Sequence, residues 1–119
     1  MIEVTNLTKQ KIDSGLVVKT AEKVLRGENS LSWDISIVFV GCAKIKELNK
    51  KFRKINKPTD VLSFAGLEVK GTKEKIGEIF VCPKMVAKNN MAWAIAHSVL
   101  HLLGYTHKQM RVKQEKYLS

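Results

Sequence analysis

The stretch from Ala92 to His107 reads AWAIAHSVLHLLGYTH. From Ala92 to Leu103 apolar side chains fall on nearly every side of a helix, and a helix of that kind is buried. Gly104 follows at the point where a left-handed residue would let the chain reverse. The stretch therefore predicts a buried helix near the C-terminus, which the rest of the chain has to cover.

All three histidines of the chain lie in this stretch. His97 and His101 are four residues apart, so both imidazoles leave the same side of the helix, and His107 could return to the same point after the break at Gly104. Three imidazoles around Zn²⁺ leave the fourth tetrahedral position open, which is typical of a catalytic zinc site. Hydrogen-bonded core histidines are the alternative, but unpaired imidazoles in an apolar helix would cost desolvation energy. We therefore predict a metal site.

The histidine spacing matches the H-E-x-x-H-x-x-G-x-x-H pattern of metzincin peptidases at every position but one. Ser98 stands where those enzymes carry the glutamate that acts as general base. A serine hydroxyl cannot serve as that base at neutral pH. Peptide hydrolysis by that route is therefore disfavoured.

Helix and strand patterns precede the buried helix. Apolar residues at the helical period predict one helix that begins at Asp13 or Ser14 and ends near Gly27, and a second that contains Ile45, Leu48 and Phe52. Apolar or alternating runs predict four strands: near Ile2 and Val4, from Ile35 to Val40, from Val61 to Ala65 and from Glu78 to Cys82.

These elements predict an α+β fold. The third and fourth strands are expected to form an antiparallel hairpin, and Pro83 is expected in the first turn of a further helix. Nothing marks a domain boundary, so residues 1–119 are expected to form a single small domain. We predict a mixed sheet of about four strands packed with helices, zincin-like around the metal-binding helix.

The chain carries a formal net charge of +10, and the excess is clustered. Seven basic residues and one acidic residue lie from Lys44 to Lys57, and four basic residues and one acidic residue lie from Lys108 to Lys116. Such clusters suit a polyanion such as nucleic acid, because neutralised phosphates release counterions. A solvated lysine-rich surface is the alternative. The candidate RNA-binding residues of the first cluster are Lys50, Lys51 and Lys54.

The composition excludes several classes of protein. With 119 residues, 45% of them hydrophobic and 27% charged, the chain is typical of a folded globular domain rather than a disordered one. No apolar run reaches the ~18 residues of a membrane span, and no secretory signal pattern is visible. Cys42 and Cys82 match no zinc or redox spacing, so we expect reduced thiols without a disulfide in a cytoplasmic protein.

Several segments together resemble one protein family. Residues 97–107, HSVLHLLGYTH, are similar to the pattern H-G-x-L-H-L-x-G-Y-D-H of the YbeY family, which are bacterial single-strand-specific endoribonucleases and rRNA maturation factors. Upstream, residues 48–53 resemble L-N-x-x-(Y/F)-R, residues 58–64 resemble P-T-D-V-L-S-F, and residues 77–79 resemble a G-D-I strand. Two positions depart from the family pattern, with Ser98 replacing the commoner Gly and Thr106 replacing the usual Asp.

The resemblance implies a zinc-dependent endoribonuclease that acts in 16S rRNA 3′-end maturation and ribosome quality control. Its partners would be single-stranded RNA, ribosomal RNA or the small ribosomal subunit. The resemblance also implies one Zn²⁺ per chain held by His97, His101 and His107. Arg53 would be the catalytic residue, and its planar guanidinium suits bidentate phosphate contact.

Residues around this site have two interpretations each. Thr59, Asp60 and Ser63 could orient a ligand imidazole or a substrate, or could form an ordinary hydrogen-bonded turn into a strand. Trp93 and Tyr105 could each stack a base. We expect Trp93 to pack in the core, and for Tyr105 both interpretations stay open.

Two other function classes stay open. One is a non-catalytic RNA- or ribosome-binding factor with a structural metal, and the other is a zinc peptidase. A closed structural site usually has four protein ligands, and we find only three candidates, which favours catalysis.

Overall fold

The computed structural model describes residues 1–65, 75–87 and 90–118. Within them lie four strands and four α-helices. The strands are β1 (Ile2–Asn6), β2 (Trp33–Phe39), β3 (Val61–Ala65) and β4 (Lys75–Val81). The helices are α1 (Ser14–Gly27), α2 (Cys42–Arg53), α3 (Met91–Leu102) and α4 (His107–Leu118).

The strands form one mixed sheet in the order β1-β2-β4-β3. β1, β2 and β4 are parallel, with Ile2 opposite Ile35 and Ile37 opposite Ile79. β3 is an edge strand that runs antiparallel to β4, with Val61 opposite Val81. The predicted α+β fold, the four-stranded mixed sheet and the antiparallel hairpin are confirmed.

The two faces of the sheet carry different helices. Ile35, Ile37 and Phe39 of β2 point to the face covered by α1 and α3, where the larger core cluster lies. Leu62 of β3 points to the opposite face, where it packs with Ile45 of α2 in a second cluster. The edge strand β3 therefore lies between α2 on one face and α3 on the other.

Helix ends follow from local chemistry. The Asp13 carboxylate accepts a hydrogen bond from the Leu16 N–H at 3.0 Å, and so begins α1 as the sequence predicts. Gly104, with φ of 92°, follows the end of α3. No helix in the described part of the chain is long and apolar enough to cross a membrane.

Three predicted elements need correction. β2 begins two residues earlier than expected, because the indole of Trp33 is also buried in the core, and it ends at Phe39, one residue before the expected Val40. β4 begins at Lys75, three residues before the expected Glu78, because the whole of β2 pairs with it. It ends at Val81, one residue before the expected Cys82. The helix expected at Pro83 is only a 3₁₀ turn (Pro83–Met85), which buries none of its side chains and so gains no packing energy for further turns.

The sequence did not predict α4, because the last predicted helix ends at Leu103. Its start has the form of a capping box. The Thr106 hydroxyl accepts from the Gln109 N–H at 3.3 Å, and the Gln109 side-chain oxygen accepts from the Thr106 N–H at 3.0 Å. Met110, Gln114 and Tyr117 form its buried side.

Candidate functional site

The two histidines of α3 lie on its open side. Although seven of the twelve residues of α3 are buried, Trp93 and His101 are exposed and His97 is half-buried, and these three positions follow one another at intervals of four residues. The ring nitrogen Nδ1 of His97 is itself buried. The helix predicted to be buried therefore has one open stripe, which carries both candidate ligands.

The third candidate ligand, His107, is the first residue of α4. Its side chain lies outside the described residues. Among the side chains that are described, no group of three or more His, Cys, Asp or Glu lies together. The three-histidine site and the zincin-like geometry therefore stay predictions. The backbone nevertheless places His107 at a defined helix start, because Gly104 turns the chain after α3 and Thr106 caps α4.

Thr106 takes the place of the Asp in the pattern that this segment resembles. Its hydroxyl both accepts from the Gln109 N–H and contacts the Gln109 side chain at 3.1 Å. Asp and Thr are both favoured helix caps, so the substitution preserves a capping group next to His107.

Ser98 points away from the histidine stripe. It is fully buried, and its hydroxyl donates to the Ala94 carbonyl at 2.8 Å. Its own carbonyl lies 3.5 Å from the Ser63 hydroxyl of β3. This placement agrees with the expectation that Ser98 supplies no general base.

Trp93 is not the core residue that we expected. It is 47% exposed, and its indole stacks on the His97 imidazole with ring centroids 5.1 Å apart and an interplanar angle of 16°. The difference follows from its position on α3, since the next residues, Ala94 to Ala96, occupy the buried sides of the helix. The Gln114 side chain of α4 donates to the Trp93 carbonyl at 3.3 Å, which fixes α4 beside this turn.

A cluster around Glu28 holds the corner between α3 and α4; we call Glu28, Tyr105, Lys113 and Tyr117 the Glu28 cluster. The hydroxyls of Tyr105 and Tyr117 both donate to the Glu28 carboxylate, and the Lys113 ammonium lies 2.8 Å from it. The Glu28 side chain is only 4% exposed. The cluster thus ties the residue after α1 to the loop before His107 and to α4.

Electrostatics follow from this geometry. Burial alone would raise the pKa of Glu28, but hydrogen bonds from Lys113, Tyr105 and Tyr117 outweigh it and lower the pKa to about 2. Burial and the neighbouring Glu28 carboxylate raise the pKa of Tyr117. The Lys113 ammonium also lies 4.7 Å from the centre of the Tyr105 ring. These contacts favour the packing interpretation of Tyr105 over base stacking.

The residues that begin β3 make local contacts. The Asp60 carboxylate accepts from the Val61 N–H at 2.8 Å and from the Thr59 hydroxyl at 3.2 Å. Both bonds belong to the turn into the strand, as the structural alternative expects. Ser63 differs, because its hydroxyl reaches the backbone of α3 at Ser98 and so links the edge strand to the histidine helix.

Arg53 is the last residue of α2 and is exposed. No hydrogen bond or ion pair joins its guanidinium to a described residue. Its neighbour Phe52 packs on Phe64 of β3, with ring centroids 5.0 Å apart. Arg53 therefore lies at the β3 edge of the sheet, on the α2 side, whereas the histidines lie on the α3 side.

The seven basic residues from Lys44 to Lys57 are all exposed. The described contacts of these side chains are a Lys44–Glu47 pair at 3.8 Å and the Lys51 ammonium 5.3 Å from the Phe52 ring centre. Neither contact neutralises the cluster as a whole. Lys50, Lys51 and Lys54 are thus accessible to a polyanion.

Both cysteines are free thiols. Cys42 begins α2 and Cys82 follows β4, and their sulfur atoms lie 3.2 Å apart. Burial and the neighbouring Cys42 thiol raise the pKa of the Cys82 thiol, which keeps it protonated. The pair packs under α2, away from the histidine helix.

Comparison with known proteins gives a consistent result. A family model described as "Endoribonuclease YbeY" matches residues 3–119. The Endoribonuclease YbeY of Thermodesulfovibrio yellowstonii is 39% identical over 130 residues, covering 94% of this chain and 76% of the relative. That of Thermotoga maritima is 36% identical over 102 residues, covering 71% of this chain and 65% of the relative. The solution structure of TM1509 from Thermotoga maritima has a TM-score of 0.60 and 32% identity, covering 99% of this chain and 87% of that one.

Proposed function

Since the chain belongs to the YbeY family of endoribonucleases, we propose that it cleaves single-stranded RNA by metal-dependent hydrolysis. Its substrate is 16S ribosomal RNA, which it processes at the 3′ end, and it acts in the cytoplasm. The single observation that best supports this is the open stripe of α3. That stripe presents His97 and His101 one turn apart, with no carboxylate base between them.

The proposed cofactor is one Zn²⁺ per chain, held by His97, His101 and His107. The residues fit this ion, because an exposed imidazole and a half-buried imidazole leave the same side of α3. When bound, the ion makes hydroxide available near neutral pH and neutralises charge on the phosphoryl oxygens. A catalytic role fits three ligands with an open position better than the alternative of a structural metal in a non-catalytic RNA-binding factor.

The remaining task of the protein is to position the RNA. Arg53 is proposed to contact the scissile phosphate, because its exposed, planar guanidinium can bind a phosphate through two parallel hydrogen bonds. Because β3 is the edge strand, RNA bound along that edge would meet Arg53 from the α2 side and the histidines from the α3 side at the same phosphate. Lys50, Lys51 and Lys54 would contact phosphates further along that strand.

The test uses untagged protein and single-stranded ribosomal RNA. We expect about one equivalent of transition metal by elemental analysis, and loss of both metal and cleavage in His101→Ala. Because His101 is exposed, we expect this variant to fold, which circular dichroism checks. Casein digestion serves as the peptidase control. Full metal retention in His101→Ala would refute the ligand assignment, and cleavage that survives both His101→Ala and a chelator would refute the metal-dependent mechanism.

Arg53 is tested separately. Loss of a contact that strengthens in the transition state typically costs roughly 10²–10³ in rate, so Arg53→Ala should keep its metal and bind RNA but cleave more slowly by about that factor. Arg53→Lys should rescue little, because an ammonium cannot reproduce the bidentate contact. Arg26→Ala is the matched control, since Arg26 is also an exposed arginine in the last turn of a helix. Equal cleavage by wild type and Arg53→Ala would remove Arg53 from the mechanism.

A further inference from the structure

The feature that the proposed function leaves unused is the exposed indole of Trp93. Large aromatic side chains bury most of their surface in folded proteins, and exposing one at this position gains nothing for the stability of α3. The other tryptophan of the chain, Trp33, is only 8% exposed. Trp93, at 47%, therefore calls for a different explanation.

The geometry of the indole defines which surface is free. One face lies nearly parallel to the His97 imidazole, at an interplanar angle of 16°. The exposed area must therefore belong to the opposite face and to the ring edge. A flat aromatic face held rigid from behind is the kind of surface on which a nucleic-acid base stacks.

The position of this face matches the proposed site. Trp93, His97 and His101 occupy one stripe of α3, and each step of four residues advances about 6 Å along the helix axis. A base on Trp93 would thus lie beside the histidines without covering them.

The helix α4, which contacts the first turn of α3, carries exposed basic residues. Gln114 of α4 is fixed to the Trp93 carbonyl at 3.3 Å, and Arg111 lies one turn before it on α4 with its side chain exposed. An exposed cation on the helix next to Trp93 fits the phosphate backbone that would continue from a stacked base.

We propose that Trp93 is a base-stacking residue that binds an unpaired base of single-stranded RNA next to the histidine site. The inference rests on the proposed function and deepens it. Bases in a duplex are already stacked on each other and cannot reach the indole, whereas unpaired bases can. Trp93 would therefore help the protein to select single strands over duplexes.

The experiment compares Trp93→Leu, Trp93→Phe and wild type in binding to a labelled 12-nucleotide oligoadenylate and to an RNA duplex of the same length. Leu keeps apolar bulk but has no aromatic face, and the probe is checked for integrity after each measurement. We expect Trp93→Leu to bind oligoadenylate roughly 5- to 150-fold more weakly, which is the effect of losing one stacked base, with duplex binding unchanged. Trp93→Phe should keep most of the affinity.

Two further readouts separate stacking from a merely structural role. Because Trp33 is buried, a change in tryptophan emission on adding oligoadenylate reports on Trp93, and it should disappear in Trp93→Leu. Metal content should be the same in every variant. Leu31→Ala, which removes an apolar side chain that is 54% exposed elsewhere on the surface, should bind like wild type.

The inference is overturned if Trp93→Leu binds oligoadenylate as wild type does, or if its defect disappears when excess metal is added, since the indole would then only support the imidazole. If wild type cleaves RNA while either result holds, the inference alone fails. If wild type binds no single-stranded RNA at all, the proposed function fails with it.

Discussion

Replacing Glu28 by Gln tests how the protein holds the corner in front of His107. The substitution keeps the shape of the side chain but removes the charge that accepts from Tyr105 and Tyr117 and pairs with Lys113 at 2.8 Å. An amide can accept only part of these bonds, and Lys113 loses its counter-ion. We expect the variant to fold, with lower stability at neutral pH and with the α3–α4 corner less firmly held.

The magnitude follows from the pKa of Glu28. Its pKa is lowered from 4.5 to about 2 in the folded protein, so the carboxylate favours folding wherever it is ionised. A difference of this size corresponds to about 3 kcal/mol of stability at neutral pH. Because the pKa is depressed, this stability is fully present above about pH 5 and is lost as the pH falls through 4.5 towards 2.

The assay is urea unfolding of wild type and Glu28→Gln at a series of pH values from 7 to about 2. Wild type should lose about 3 kcal/mol more than Glu28→Gln over the acid range, so that the two curves converge at low pH. Glu22→Gln is the control, because Glu22 is an exposed carboxylate on α1 and its variant should follow the wild-type curve. Parallel curves for wild type and Glu28→Gln would refute the reasoning.

Two other predictions concern RNA affinity and packing. Changing the exposed Lys50, Lys51 and Lys54 to Gln should reduce the slope of log affinity for single-stranded RNA against log salt concentration by roughly 0.7 per lost phosphate contact. Changing the exposed Lys9, Lys11 and Arg26 to Gln should leave this slope unchanged. Equal slopes for both triple variants would show that Lys50, Lys51 and Lys54 belong to a solvated surface that does not bind RNA. Gly77→Ala should lower the free energy of unfolding by about 1–3 kcal/mol, because its Cβ would lie 2.7 Å from Leu102 Cδ1. Leu102→Ala should relieve part of that cost in a double-mutant cycle, and strict additivity of the two changes would contradict the clash.

The sequence predicted those elements that local patterns determine. Asp13 begins α1 and Val61–Ala65 forms β3 as expected, because a capping carboxylate and an apolar run act over a few residues. The order β1-β2-β4-β3 had no local signal, since parallel pairing joins residues far apart in sequence. The helix α4 had a usable signal in the Thr106–Gln109 capping box, but its buried side includes the polar Gln114, which weakens the apolar period.

The site was predictable to a similar degree. The spacing of His97 and His101 predicted that both lie on one side of α3, and they do. The apolar composition of the helix, however, gave no sign of its open stripe or of the exposure of Trp93. The Glu28 cluster was beyond reach, because its carboxylate meets partners 77 to 89 residues away. Contacts between residues so far apart in sequence depend on how α1, α3 and α4 pack, and local sequence patterns do not predict that packing.

The buried position of Ser98 also bears on how this scaffold can diversify. Replacing Ser98 by glutamate would complete the peptidase pattern in sequence, yet the new carboxylate would begin in the interior, where the serine hydroxyl now donates to the Ala94 carbonyl. Burying an unpaired charge costs several kcal/mol, a large share of the 5–15 kcal/mol that typically separates a folded domain from its unfolded chain. A lineage carrying this helix therefore meets a stability barrier between nuclease and peptidase chemistry, and could cross it only after the helix had rotated or the strand beneath it had been rebuilt.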